Sequence, residues 1–159
     1  MKIFIYSVGK IREPFYINGV KEYLKRLKPY TNIELVDGFE EKLSPKASEK
    51  DIQNLLAKEG QKMLNSISPD DLVVLLDIKG KQVSSPAFAQ DLERFNLSGK
   101  ARLNFIIGSS HGVSEAIKKR ADKLISFSPM TFPHQMAVLI LVEQIYRGFK
   151  IIKNEPYHK

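Results

Sequence analysis

The sequence predicts an α/β domain in which a mainly parallel sheet carries helices on both faces. Three observations support that class. Strand-like and helix-like segments alternate five times; Leu72–Leu76 is an unbroken apolar run between Asp71 and Asp77; and no repeat, low-complexity tract or linker interrupts the alternation. Each return to a sheet through a helix sets the next strand parallel to the last. A strand that is apolar at every position suits a sheet covered on both sides, because a face open to water would show alternation. The 159 residues read as a single domain, 1–159, of a size that buries roughly 70% of its unfolded surface.

The elements follow in order. Lys2–Val8, rich in Ile, Phe, Tyr and Val, is the first strand and ends at Gly9. From Pro14 to Leu27 the residues Tyr16, Val20, Tyr23, Leu24 and Leu27 recur every three or four positions, and Lys21, Lys25, Arg26 and Lys28 occupy the opposite side, which predicts a basic amphipathic helix. Asn32–Val36 is a short second strand, and Asp37–Lys46 reads as a mobile charged loop. Ser48 and Asp51 have the spacing of a capping box, ahead of an apolar stripe from Ile52 to Ile67. Leu72–Leu76 is expected at the heart of the sheet, with Asp77–Lys81 as the turn that leaves it. Ser85 and Pro86 predict the cap and first turn of a helix carrying Phe88, Leu92 and Phe95. Leu103–Ile107 is the next buried strand, Ser114 caps a short basic helix, and Leu124–Phe127 is the last strand.

The chain is organised around its final third. After a loop of small and aromatic residues, Ser128–Phe132, Pro133 suits the start of a helix because its missing N–H had no partner there. Met136–Val142 is apolar at all positions, so this helix should be buried all round, by its own domain on one side and a second subunit on the other. Glu143 and Arg147 then stand at the i, i+4 spacing of an ion pair, and are read as a structural pair at that interface.

Composition excludes several function classes. The chain has no cysteine, which removes disulfides, thiolate nucleophiles and cysteine zinc sites. His111, His134 and His158 have no metal-ligand spacing, so no metal is expected. No apolar run approaches the ~18 residues of a membrane span, and the start MKIFIYSVGK lacks a secretory pattern, so no membrane is expected and a cytoplasmic location is. A net charge of +7 with a pI near 9.5 favours a polyanionic partner, nucleic acid first among them.

Ligands of parallel α/β sheets bind beyond the carboxyl ends of the strands. Three loops qualify: Leu76–Lys81, Gly108–Gly112 and Phe127–Phe132. The second is not G-x-G-x-x-G and has no Walker lysine and hydroxyl, so neither a dinucleotide nor a triphosphate site is indicated.

LLDIKGK, SSPAFAQDL, FIIGSSHG, LISFSPMTFPHQ, VEQIYRGFKI and the final EPYHK, in this order and spacing and with VGKIREPFY and EYLKRLKPY before them, make the chain resemble the RlmH family of SPOUT methyltransferases over essentially its whole length. The resemblance implies S-adenosylmethionine-dependent methylation of N3 of a pseudouridine in 23S ribosomal RNA, a homodimer, a C-terminal trefoil knot, and the ribosome as the setting. It also implies that the cofactor site falls on Leu76, Gly108, Phe127, Ser128, Pro129, Met130, Thr131 and Phe132, the three loops already picked out by strand ends. N3 must lose a proton, and the candidate catalytic residues are His158 and Tyr157 in the tail, which by resemblance closes over the partner subunit's pocket, and His134 at the helix start. Methyl transfer from a sulfonium needs no metal. Two positions depart from the family: Ser109 stands where a second glycine is usual and Val138 where an arginine is usual. They keep open an alternative, a non-catalytic RNA- or ribosome-binding paralogue.

Overall fold

The computed structural model describes all 159 residues. Five strands and five helices alternate: β1 (Lys2–Ser7), α1 (Pro14–Leu27), β2 (Asn32–Val36), α2 (Glu49–Leu64), β3 (Leu72–Gln82), α3 (Ser85–Leu97), β4 (Arg102–Ile107), α4 (Glu115–Arg120), β5 (Lys123–Ser126) and α5 (His134–Ile152). Every strand pairing is parallel, in the order β2-β1-β4-β3-β5. The middle strand is therefore β4, and the Leu72–Leu76 run lies one place off centre, between β4 and β5.

The period-2 side-chain alternation of the strands divides the core into two layers. Ile3, Ile5, Val74, Leu103, Phe105 and Ile107 face α1, α3 and α5, where they meet Val20, Leu27, Phe88, Leu92, Val138, Leu141, Val142 and Ile145. Phe4, Tyr6, Val73, Leu75 and Ile106 face α2 and α4 and meet Met63 and Ile117. Helices thus cover both faces, as the apolar strands require.

Local chemistry explains most element boundaries. At α2, the Asp51 N–H donates to Ser48 Oγ (3.2 Å) and the Ser48 N–H to Asp51 Oδ2 (2.8 Å), so the capping box is complete. The Ser48 N–H holds the Asp51 carboxyl below its ordinary pKa. α2 stops at Leu64 rather than Ile67, and the Ser66 and Ile67 N–H groups turn back onto Met63 and Leu64 carbonyls. The cap of α3 is Ser84, one residue before the predicted Ser85: Ser84 is extended and accepts the Ala87 N–H, which frees the Ser85 hydroxyl to donate to Gln144 of α5 at 2.7 Å. Pro133 is the N-cap of α5, one residue outside the helix.

Two loops are more ordered than their composition implies. Asp37–Lys46 was expected to be mobile, yet Phe39 is buried against Tyr6 (ring centroids 6.0 Å) and Glu41 is paired with Lys58 and Lys62. Asp77–Lys81 does not leave the sheet: β3 runs on to Gln82 through a register shift, so that Ile125 pairs with Leu76 and again with Lys81. Gly80 makes this possible, because a Cβ there would lie 2.6 Å from the Ile125 carbonyl carbon.

Glu59 is 3% exposed; its Oε1 accepts the Glu41 N–H at 3.1 Å, while Oε2 has no partner. Burial, reinforced by the nearby Glu40 and Glu41 carboxylates, raises its pKa above the ordinary 4.5. Because the fold favours the protonated form, the stability this group contributes is complete below that ordinary value and is lost as pH rises through the raised one. Glu59→Gln, which cannot ionise, should therefore be more stable than the parent at about pH 8, with a margin that shrinks as pH falls to about 4. Urea unfolding at the two pH values tests this, and an equal margin at both would count against it.

Candidate active site

The carboxyl ends of β1, β4 and β5, with the end of the buried part of β3 at Leu76–Ile78, open onto one cavity of about 670 Å3, within the range of small-molecule sites. Seven of the eight residues expected to hold a cofactor line it: Leu76, Gly108, Phe127, Ser128, Met130, Thr131 and Phe132. Pro129 belongs to the same loop but does not reach the cavity wall. His134 and Ala137, in the first turn of α5, complete that side.

Each loop is held by its own short hydrogen bonds. Ser126 Oγ donates to the Ser128 carbonyl (3.0 Å) and Ser128 Oγ accepts the Met130 N–H (3.0 Å), which fixes the bend after β5. Asp77 Oδ1 accepts the Lys79 N–H at 2.8 Å, turning the chain at the end of the buried part of β3. After β4, Ser109 and Gly112 pair as a one-rung bridge, and a Cβ on Gly108 would stand 2.6 Å from Val113 Cγ1 and 2.7 Å from the Gly112 oxygen. Only glycine lets the loop close there.

The departures at Ser109 and Val138 leave the cavity intact. Ser109 Oγ turns into its own loop, 3.4 Å from the Gly112 oxygen and accepting the His111 N–H at 3.2 Å, instead of projecting across the space. Val138 is 1% exposed and packs in the core under α1, α3 and α5. That position faces inward, where an arginine would need a buried partner for its charge.

His134 and Gln135 attach the loop after β1. His134 Nε2 lies 3.4 Å from the Lys10 carbonyl, and Gln135 Oε1 accepts the N–H groups of both Arg12 (2.7 Å) and Glu13 (3.0 Å). Gln135 thereby satisfies the N–H of Glu13, the N-cap of α1, and of the residue before it, and ties the start of α1 to α5. Val8, Gly9, Glu40, Asp77 and Ile78 also line the cavity. Asp77 and Ile78 fall in a loop the strand ends identify; Glu40 sits in a charged segment with no periodicity to mark it.

Tyr157 and His158 are elsewhere. Neither lines this cavity; both meet the middle of α5, near Glu143, roughly 14 Å along the axis from His134 at 1.5 Å per residue. Tyr157 Oη donates to Glu143 Oε1 (3.0 Å) and contacts Tyr23 Oη (3.2 Å), Arg147 Nη2 donates to Glu143 (2.5 Å), and Arg147 Nη1 approaches His158 Nδ1 at 3.4 Å. The predicted Glu143–Arg147 pair is present. Burial, then the hydrogen bonds to Tyr23 and Glu143, push the Tyr157 hydroxyl pKa well up, so it remains a donor. The Glu143 carboxylate raises Arg147 in turn.

α5 is not buried all round within the single chain. Val138, Leu141, Val142, Ile145 and Tyr146 are buried, whereas Met136 and Ile140 are half-exposed and packed against neither core layer. Basic residues are also less free than the sequence implies: Arg120 donates to the carbonyls of Ser68, Pro69 and Asp71, and Lys123 pairs with the buried Asp91. No three His, Asp or Glu side chains converge on a point, and no helix is long and apolar enough to cross a membrane.

A family model described as "Predicted SPOUT methyltransferase" matches residues 1–158. The chain is 57% identical to a Syntrophomonas wolfei protein named Ribosomal RNA large subunit methyltransferase H, over 159 residues and 100% of both chains. Proteins of that name from Enterococcus faecalis and Bacillus pumilus are 45% and 43% identical, again over 100% of both chains. With its whole length matched and its cavity built from the ends of parallel strands, the chain belongs to the SPOUT methyltransferase family.

Proposed function

We propose that this protein methylates N3 of a pseudouridine in 23S ribosomal RNA, using S-adenosylmethionine bound in the cavity beside the Leu76–Ile78 stretch of β3 and the ends of β4 and β5. The observation that carries the proposal is the convergence of seven cofactor-loop residues on one cavity of about 670 Å3, in a chain 57% identical to a protein named as a large-subunit rRNA methyltransferase. Bound there, the cofactor supplies an electrophilic methyl group. The wall suits it: Leu76, Phe127 and Met130 offer apolar surface, and the loop backbones after β4 and β5 offer polar groups to a purine edge.

The chain's own task is to place the acceptor base in line and to remove its proton. Tyr157 gives its one hydroxyl proton to Glu143, so what it offers the base is its ring face and the lone pairs of its oxygen. His158 and His134 remain as proton acceptors, one in the tail and one on the cavity wall. Since Tyr157 and His158 do not reach the cavity of their own chain, the site is completed by a second copy whose tail lies over it. The half-exposed stripe of Met136 and Ile140 on α5, continuing to Glu143 and Arg147, is where the two copies meet. In the trefoil knot expected of the family the chain after β5 passes the Asp77–Gly80 bulge of β3, the stretch that the two pairings of Ile125 flank. Exposed Lys21, Lys25 and Lys28 on α1 and Lys119 on α4 provide cationic surface for RNA. Ser109 and Val138 leave the cavity undamaged, which supports the enzyme reading; the non-catalytic alternative turns on RNA contact and is separated by the labelling experiment below.

Incubation of the protein with methyl-labelled S-adenosylmethionine and ribosomes from cells lacking the native modification should label 23S RNA at N3 of one pseudouridine. Absence of label from RNA of the large subunit would overturn the enzyme assignment. Gly108→Ala, by forcing a methyl group against Val113 and Gly112, should weaken cofactor affinity on the order of tenfold in calorimetry, which is about 1.4 kcal/mol. Ile140→Asp places a charge in the inter-copy stripe and should convert dimer to monomer in sedimentation analysis while leaving cofactor binding in place; an unchanged sedimentation coefficient would move the interface off this face.

A further inference from the structure

The tail that carries Tyr157 and His158 is fixed to the body of its own chain by an arrangement the active-site description does not use. α5 ends in a Schellman turn: the Asn154 N–H donates to the Ile151 carbonyl (3.0 Å) and the Glu155 N–H to the Lys150 carbonyl (2.9 Å). Asn154 takes the left-handed conformation this turn demands, φ 53°, the one non-glycine residue to do so. Asparagine adopts this conformation more readily than other non-glycine residues, but the turn fixes the chain only as far as Glu155 and leaves the residues beyond it to other contacts.

Side chains of the same two residues reinforce it. Lys150 Nζ donates to Glu155 Oε2 at 2.6 Å, and Tyr30 Oη, from the end of α1, donates to the same oxygen at 2.5 Å. Lys150 also lies over the rings of Tyr30 (5.8 Å) and Tyr146 (5.6 Å). The Lys150 side chain is 18% exposed and that of Glu155 40%, so the strength of the pair comes from its geometry, two donors meeting one carboxylate oxygen, more than from burial. From Glu155 the chain runs two residues to Tyr157, whose ring packs edge-on against Tyr146 at 4.9 Å and lies under the Arg147 guanidinium at 4.7 Å. Tyr146 therefore touches both the lock, through Lys150, and the tail it holds, through Tyr157.

We infer that Glu155, gripped by Lys150 and Tyr30, is a positioning residue that sets the orientation of Tyr157 and His158 for the acceptor base. This rests on the methyltransferase function proposed above. Glu155 touches neither the cavity nor, on that proposal, any reacting atom. It acts by removing the freedom of a chain end that would otherwise fray.

Three variants test it: Glu155→Ala and Lys150→Ala remove the lock, and Lys150→Arg keeps it. In hydrogen exchange, the amides of Tyr157 and His158 should exchange on the order of tenfold faster in the two alanine variants than in the parent. In rRNA methylation, kcat should fall on the order of tenfold, while cofactor affinity by calorimetry stays within about twofold because the cavity loops are untouched; Lys150→Arg should match the parent in all three. Tyr30→Phe, which removes one hydroxyl, gives an intermediate effect and serves if either alanine variant fails to fold. Unchanged exchange overturns the lock, and faster exchange with an unchanged kcat overturns its role in positioning. A parent protein that transfers no methyl defeats the enzyme proposal instead, and exchange then decides alone whether Glu155 holds the tail.

Discussion

The close approach of Gly80 to the backbone of Ile125 is the constraint on which the site depends. β5 is an edge strand of four residues, and an edge that short is a weak element unless something grips it. β3 supplies the grip by running past its own apolar segment and pairing a second time, so that Leu76 and Lys81 both hold Ile125. Any side chain at position 80 would push the two backbones apart, since its first carbon would lie within 2.8 Å of three Ile125 backbone atoms. With β5 in place, the loop that follows is delivered beside the Leu76–Ile78 stretch of β3 and the loop after β4. The cavity is the result of that delivery.

What keeps α5 across the end of this arrangement is burial more than charge. Val138, Leu141, Val142, Ile145 and Tyr146 are all buried between α1 and α3, and full burial of one such apolar side chain contributes about 1.5–3 kcal/mol. The ion pairs on the same helix are worth a fraction of that each. Their value is directional: Glu143 receives Arg147 and Tyr157, and Glu155 receives Lys150 and Tyr30. The packing fixes the helix, and the charged groups aim what protrudes from it.

Much of this was legible in the sequence, for reasons that can be named. The apolar runs at Leu72–Leu76 and Leu103–Ile107, the Ser48 and Ser114 caps, and the periodicity of α1 are local signals, and each produced the element it predicts. Strand ends and family motifs together pointed to the loops that line the cavity, with only Pro129 falling short of the wall. What stayed hidden depends on partners remote in the chain. The second half of β3 looks like a turn because its exposed residues have no apolar period; it is a strand because β5 pairs with it. Asp37–Lys46 looks loose because nothing in its composition reveals that Phe39 finds Tyr6 and that Glu41 finds two lysines of α2. Glu40 reaches the cavity by the same hidden route.

The tail shows why a correct list of residues does not amount to a site. Tyr157 and His158 were singled out because an aromatic and an imidazole at a chain end need a reason to be there, yet within one chain they meet Glu143 and Arg147 and leave the cavity to His134. On the proposed function, a tail held away from the cavity serves catalysis only where another copy presents its own cavity loops to it. The half-exposed apolar stripe beside Glu143 on α5 is the surface through which that can happen, because it lies between the anchored tail and the cavity end of the same helix. On the function proposed above, dimerisation and catalysis are one requirement: a monomer would retain the cavity and the anchored tail, but it would have no means of bringing the two together.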